Sequence, residues 1–469
     1  MRDLRGQGHF GLIFFIFFVA LIVFISLQQF PSYTYFIFFI VGCIVFFLSF
    51  LNPNLILILV ILSALLSPEF QVGGIAGRSV VIRLEDIFLF FIFLGWLAKL
   101  SVNKELGLVR FTPLNRAIAV YLFLCIVSTA IGLISQTVTL KQSFFYLLKY
   151  FEYFMIFFLV VNNLRTMRQA KLCVFFMIIT CIIVCLYALL SLPSGGRLSA
   201  PFEGVGGEPN TFAGYLVLMM ALMIGLMLYN KQMWLRVPLG ILLFCSMGIF
   251  IFTFSRGGWL AFFPMVGAFI FFDRRHRNFL IFSCLAVAFL FPFISPQRMQ
   301  ERIQERIKDA FSNDQAYEMF GKELTVSGST AARIESWGMG FALWLKRPLV
   351  GYGIPSAGVI DNQYIRVLTE TGILGFLAFL HLLRSLFRVG LRSWRESAEN
   401  GFSQGVCLGF LAALVGLVTH ALSVSTFIVI RIMEPFWFWT AIVVLLPTLV
   451  AQEKKEEAGY EETSDLRTG

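Results

Sequence analysis

Runs of roughly 17–20 apolar residues recur from Phe10 to Val450, and one long polar stretch, 295–371, interrupts them. Each run is long enough to cross a hydrocarbon core, and inside that core every backbone polar group must be satisfied within the protein. Only helices or a closed barrel meet that demand. Barrel strands alternate apolar and polar residues in short segments, whereas these runs are continuous. The chain is 58% hydrophobic and 14% charged, against about 25% charged in soluble domains. The expectation is an all-α polytopic membrane protein with about 12–14 transmembrane helices and one large helical outer loop.

The apolar pattern places spans at 10–28, 33–51, 55–67, 87–98, 117–135, 144–161, 172–192, 211–229, 237–254, 259–272, 278–294, 373–390, 405–424 and 436–450. It divides the chain into an N-terminal bundle (1–294), a loop domain (295–371), C-terminal helices (372–450) and a charged tail (451–469). Lys and Arg crowd every second link and both tails, as at Arg274-Arg275 and Arg392. The alternate short loops carry only Arg78, Arg83, Lys141, Arg197, Arg256 and Arg431. The positive-inside rule then puts both termini in the cytoplasm and the loop domain outside. The net charge of +10 is thus a topological signal and implies no nucleic acid. No cleavable signal peptide is expected, because Phe10–Leu27 is too long for the usual apolar core of one.

All eight cysteines lie in or at the edge of apolar runs, where Cys acts as a small apolar residue. No spacing of Cys or His suggests a metal, so none is expected. His420, near the outer end of a span, either reaches an outer site or makes an interhelical hydrogen bond, and the second is favoured. Lys149 and Glu152 read as an i,i+3 pair inside a span.

The polar candidates fall on one side. Arg256, in Ser255-Arg256-Gly257-Gly258, breaks an apolar run; an Arg at such depth faces a cavity or an anion, or snorkels to lipid phosphate. Arg197 precedes Pro209-Asn210, where Asn210 or Thr211 is expected to cap a helix whose amino end favours an anion. Within the loop domain, 296–311 reads as an amphipathic helix, 312–328 as irregular and 331–346 as a second helix. Arg333 beside Trp337 is either a cation–π contact or an anion ligand in an aromatic wall. The turn Gly351-Tyr352-Gly353-Ile354-Pro355 offers backbone N–H groups for a phosphate cradle. Asp361, Asn362 and Glu370 flank a short helix leading into the next span. A carboxylate there is either a general base or a salt bridge holding the loop down.

These residues resemble the O-antigen ligase and Wzy-type polysaccharide polymerase superfamily. Ser255-Arg256-Gly257-Gly258-Trp259 looks like its Ser-Arg-Gly motif, and Arg197-Leu198-Ser199 with Pro209-Asn210 like an earlier outer-loop motif. Arg333, Trp337 and Arg347-Pro348-Leu349-Val350-Gly351-Tyr352-Gly353 resemble the start of the signature loop. Asp361-Asn362 with Gly372-Ile373-Leu374-Gly375 resembles its end. The resemblance spans about 195–375, whereas residues 1–194 add only hydropathy. Where the ligases carry His, this chain has Asp361, and Asp361-Asn362-Gln363-Tyr364 is more similar to the polymerases.

The resemblance implies an integral-membrane glycosyltransferase of the bacterial inner membrane, working at its periplasmic face without metal or other cofactor. Its partners would be the lipid bilayer, polyprenyl-pyrophosphate-linked glycan donor and acceptor, and a flippase and chain-length regulator of the same pathway. Asp361, Arg256 and Arg333 would be catalytic. Arg197, Asn210, Trp337, Arg347, Tyr352, Asn362, Tyr364 and Glu370 would bind substrate. Polymerisation of repeat units into O-antigen or exopolysaccharide is the leading expectation, ahead of ligase-type transfer to lipid A-core. A lipid-linked oligosaccharide flippase is the third, disfavoured because transporters place charges at the midplane of broken helices in paired repeats.

Overall fold

The computed structural model describes residues 41–468 except for 43, 49–51, 68, 76–77, 103–109, 193–196, 202–206, 231, 295–299, 302–303, 305–307, 309–314, 320–321, 327 and 359. The expected span at 10–28, most of that at 33–51, most of the amphipathic helix at 296–311, and Gly195-Gly196 lie outside the described residues.

Helices follow the apolar runs closely. They are α1 (Pro53–Leu66), α2 (Leu84–Val102), α3 (Asn115–Ile134), α4 (Leu140–Asn163) and α5 (Met167–Ser191). Next come α6 (Pro209–Tyr229), α7 (Met233–Phe252), α8 (Arg256–Phe272) and α9 (Arg277–Ile294). The loop domain ends in α10 (Gly328–Lys346), and α11 (Gln363–Glu396), α12 (Gly401–His420) and α13 (Ile430–Thr468) complete the bundle. Among the described residues, eight of these are long and apolar enough to cross a membrane, and α1 and α8 are shorter apolar helices. The chain is an all-α polytopic membrane protein.

Helices in lipid associate through close packing and small residues, and the centre of this bundle is built that way. On α6, a Cβ at Gly225 would come within 2.2 Å of the Gly405 carbonyl oxygen, and one at Gly409 of α12 within 2.8 Å of that of Ala221. The two backbones therefore touch. Against this pair, α13 buries Trp437 among Tyr153, Phe154 and Phe157 of α4, with the Tyr153 and Trp437 rings parallel within 6°.

Two polar segments, one of them (312–328) expected to be irregular, contain antiparallel hairpins. β1 (Glu69–Ile75) pairs with β2 (Arg78–Arg83), and β3 (Gln315–Met319) pairs with β4 (Lys322–Val326), in register from Gln315 opposite Val326 to Met319 opposite Lys322. The loop domain is thus not wholly helical. Short polar stretches with β-branched residues, such as Arg78-Ser79-Val80-Val81-Ile82-Arg83, satisfy their backbone groups by pairing when no long apolar run is available.

α11 is two helices in one. Gly372 sits at φ 64, ψ −169, where the backbone leaves the helix and resumes it. A Cβ there would come within 2.3 Å of the Leu349 carbonyl oxygen, so only glycine fits. The amide groups freed by the break donate to the loop before it: Ile373 N–H to Pro348 O at 2.8 Å and Leu374 N–H to Leu349 O at 3.3 Å. The segment 347–362 is therefore plugged into the break.

Candidate active site

Two helix amino termini meet at one end of the bundle. Ser255 caps α8 by accepting the Gly258 N–H, and its own hydroxyl donates to Asn210 Oδ1 at 2.8 Å. Asn210 stands in the first turn of α6, whose N-cap is Glu208; neither Asn210 nor Thr211 caps that helix, because Pro209 already occupies its first position. Arg256 is the first residue of α8. The turn before it is braced by Arg197, which donates from Nε to Thr253 O at 3.0 Å and from Nη2 to Phe254 O at 3.3 Å. Phe254 itself adopts φ 48, in the left-handed region that non-glycine residues rarely enter. Such strain persists only where surrounding contacts enforce it, and here the Arg197 fork supplies them. Exposed helix N–H groups and guanidinium charge together favour an anion at this point.

The turn after α12 closes the other wall. A Cβ at Gly257 would come within 2.0 Å of Ser423 Oγ, so the first turn of α8 lies directly on this turn. His420 is fully buried beneath it, with Nδ1 2.8 Å from Thr426 Oγ1 and the ring against Gly214 of α6. Its hydrogen bond stays within the turn after its own helix, while its ring packs on α6. From the loop side, Gln363 N–H donates to Ala421 O at 3.0 Å, and Ser425 Oγ donates to Ile360 O at 2.8 Å. The turn 421–425 thus brings Asp361, between those two contacts, to the same wall as Arg256. Arg197, Asn210 and Arg256 thus share one end of the bundle, and the turn 421–425 brings the segment around Asp361 to the same wall.

Several of the remaining candidates make hydrogen bonds or ring contacts within the protein. Gly351, Tyr352, Gly353 and Ile354 all spend their N–H groups internally, on Arg347 O, Thr369 O, Glu370 O and Thr129 Oγ1. The expected phosphate cradle is therefore not available there. Arg347 lies 4.9 Å over the Tyr352 ring and donates to Ser135 Oγ at 2.8 Å. Asn362 caps α11 through Tyr364 N–H and Ile365 N–H, and the Tyr364 hydroxyl donates to Val418 O at 2.7 Å. Glu370 is fully buried and takes Arg366 Nε at 3.2 Å; it is the salt bridge rather than an exposed carboxylate. Among the described residues, Arg333 and Trp337 make no cation–π contact, and Lys149 and Glu152 make no ion pair, since Lys149 lies 5.5 Å over the Tyr146 ring. The Trp337 indole N–H is buried with no acceptor, and Asp361 has no hydrogen-bond partner among the described residues.

Residues 128–143 hold the signature loop in place, a role hydropathy does not reveal. Ser128 Oγ lies 2.6 Å from both Val350 O and Glu370 O, Thr137 donates to Tyr352 O at 2.6 Å, and Ser143 to Ile354 O at 2.7 Å. A Cβ at Gly132 would come within 2.4 Å of the Tyr352 carbonyl oxygen. The signal in the sequence is the cluster of hydroxyl residues around the α3–α4 turn (Ser128, Thr129, Ser135, Thr137, Ser143), at the end of an otherwise apolar hairpin.

The fold is that of a polytopic helical membrane protein in which Arg197 and Arg256 stand at one end of the bundle, beside two helix amino termini. Residues 241–380 match the family model described as O-antigen ligase. The match runs from α7 through the loop domain into the second half of α11 and covers Arg256, Arg333 and Asp361 but not Arg197 or Asn210. No curated protein matches the chain.

Proposed function

We propose that this protein polymerises oligosaccharide repeat units carried on polyprenyl pyrophosphate, at the periplasmic face of a bacterial inner membrane. The carrying observation is the meeting of Arg256 at the amino end of α8 with the Arg197-braced turn and the first turn of α6, against the turn 421–425 that also receives the segment around Asp361. In this reading both termini are cytoplasmic and residues 295–371 are periplasmic.

The acceptor hydroxyl attacks the anomeric carbon of the donor glycan. The new glycosidic bond forms as the bond from that carbon to the pyrophosphate oxygen breaks, with inversion, and the hydroxyl proton passes to Asp361. Negative charge grows on the leaving pyrophosphate. Arg256 and Arg333 meet it with guanidinium groups held in place before the reaction, which stabilises charge without reorganisation. Arg197 contributes charge and holds the strained turn at Phe254. The unpartnered Trp337 N–H is suited to a sugar oxygen.

Ligase-type transfer to lipid A-core or another acceptor is the second reading, favoured by the description of the matching family model. Deleting the gene and sizing the cell's lipid-linked glycan separates the two. Single repeat units left on lipid are expected; full-length polymer stranded on polyprenyl lipid would establish the ligase reading instead.

A further inference from the structure

The far end of α8, about 25 Å from Arg256 along a 17-residue helix, meets a second concentration of arginines, which the proposed reaction does not use. There the Phe272 ring lies 6.0 Å from the Phe387 ring and 6.2 Å from the Trp394 ring, both on α11. These contacts fix which face of α11 looks at α8. One flank of that face packs on α12, where a Cβ at Gly390 would come within 2.9 Å of Leu411 and 3.0 Å of Phe410. On the other flank, Arg384, Arg388 and Arg395 fall within about 40° of one another around the helix, and all three are exposed. The stripe therefore faces out of the bundle. The turn after Phe272 adds Arg274 and Arg275, also exposed.

Local carboxylates do not neutralise these charges. Asp273 is buried, and its Oδ1 accepts Arg275 N–H at 3.0 Å and His276 N–H at 3.2 Å, while Oδ2 lies 2.7 Å from His276 Nδ1. That carboxylate shapes the turn and leaves the Arg274 and Arg275 guanidinium groups outside it. Glu396 accepts Arg392 Nε, Glu399 pairs with Lys454, and Glu453 lies 3.7 Å from Lys171. Among the described residues, Arg274, Arg275, Arg384, Arg388 and Arg395 form no ion pair. Like charges at i,i+4, such as Arg384 and Arg388, weaken a helix, and an anion set beside both relieves that repulsion. Phe271 and Phe279, on either side of the turn in sequence, are exposed apolar rings. Guanidinium forks match phosphate oxygens, and basic clusters at the ends of membrane helices attract anionic headgroups.

We propose that this end of the bundle binds an anionic phospholipid. Its phosphate lies between the α8–α9 turn, with Arg274 and Arg275, and the α11 stripe, with Arg388 and Arg395. Its acyl chains lie against the exposed rings. The charge comes from two separate segments, so an occupied site ties the turn to α11, and a ligand that binds only the folded state raises its stability.

The test uses the full chain purified in a neutral detergent and needs no glycosyl transfer, so its outcome is independent of the proposed reaction. Phosphatidylglycerol, cardiolipin, phosphatidylcholine and inorganic phosphate are added in separate titrations. The thermal midpoint and the lipids retained in native mass spectra are read. The two anionic lipids should raise the midpoint by a few degrees and stay bound, whereas phosphatidylcholine and phosphate should do neither. The double variants Arg274→Gln, Arg275→Gln and Arg388→Gln, Arg395→Gln should each lose most of the shift, and either one carries the comparison if the other does not fold. Arg116→Gln, Arg168→Gln, which removes the same charge from exposed positions elsewhere, should keep it. Equal stabilisation by phosphatidylcholine overturns the proposal, as does a shift that both arginine variants retain or that the control variant loses equally. A shift reproduced by phosphate alone would identify a free-anion site instead.

Discussion

The Ser128 hydroxyl on α3 lies 2.6 Å from the carbonyl oxygen of Glu370, 242 residues away in sequence, and equally close to that of Val350. One side chain in the amino-terminal half thus ties the signature loop to the half-helix that follows Asp361. Ser128→Ala leaves both carbonyls without that donor in a buried setting. The expected cost is about 1–3 kcal/mol, read as a lower thermal midpoint of the purified chain in nanodiscs. An unchanged midpoint would show that the loop is held by its other contacts alone.

Gly372 and Gly338 should respond in opposite directions to the same substitution. Gly372 combines φ 64 with a carbonyl 2.3 Å from where a Cβ would be. Left-handed backbone alone costs a non-glycine residue about 1–2 kcal/mol, and the Leu349 backbone cannot retreat without leaving the break in α11. Gly372→Ala should therefore displace the loop or prevent folding. Gly338, on α10, has nothing within 4 Å of its would-be Cβ and no positive φ. Gly338→Ala should be neutral or stabilising by up to about 1 kcal/mol. Thermal unfolding and yield of the two variants in parallel check both.

Hydropathy made most of the described helices legible, because a long apolar run in lipid has few structural options. It did not reveal the β1–β2 and β3–β4 hairpins, whose short strands leave no long periodic signal. Residue chemistry drew attention to Arg256, since an Arg breaking an apolar run is costly unless employed. It did not reveal the internal partners of Tyr352, Tyr364, Asn362 and Glu370, which engage Arg347, Val418 O, the α11 amides and Arg366. Which of two available partners a polar group takes depends on three-dimensional neighbours, and Ser128 and Thr137 were anonymous until those neighbours were known. The left-handed turn at Phe254 was equally hidden, because nothing in its residue type announces it.

Arg366 and Glu370 form an ion pair at 3.2 Å, 6% and 0% exposed, on the half-helix between Asp361 and the Gly372 break. Breaking such a pair from one side leaves an uncompensated buried charge and typically costs about 3–5 kcal/mol, whereas replacing both partners by apolar groups is often tolerated. Arg366→Met alone should destabilise the protein strongly. The double variant Arg366→Met, Glu370→Leu should recover much of that loss. A double-mutant cycle of thermal midpoints measures the coupling; additive effects would show that the pair is not acting as a unit.

Arg256 offers the most direct test of the proposed chemistry. It occupies the first position of α8, but Ser255 provides the cap through Gly258 N–H, so the helix start does not depend on the guanidinium. Removing a preorganised donor to a developing negative charge costs about 10²–10³ in rate. Arg256→Ala should therefore lose polymer formation by that order while keeping its thermal midpoint. Arg256→Lys restores the charge without the planar fork that pairs two phosphate oxygens, so it should fall between the two. Polymer length and amount, read on gels from purified enzyme supplied with lipid-linked repeat units, give the comparison. Wild-type polymer from Arg256→Ala would remove this residue from the pyrophosphate site and leave Arg333 to carry the leaving group.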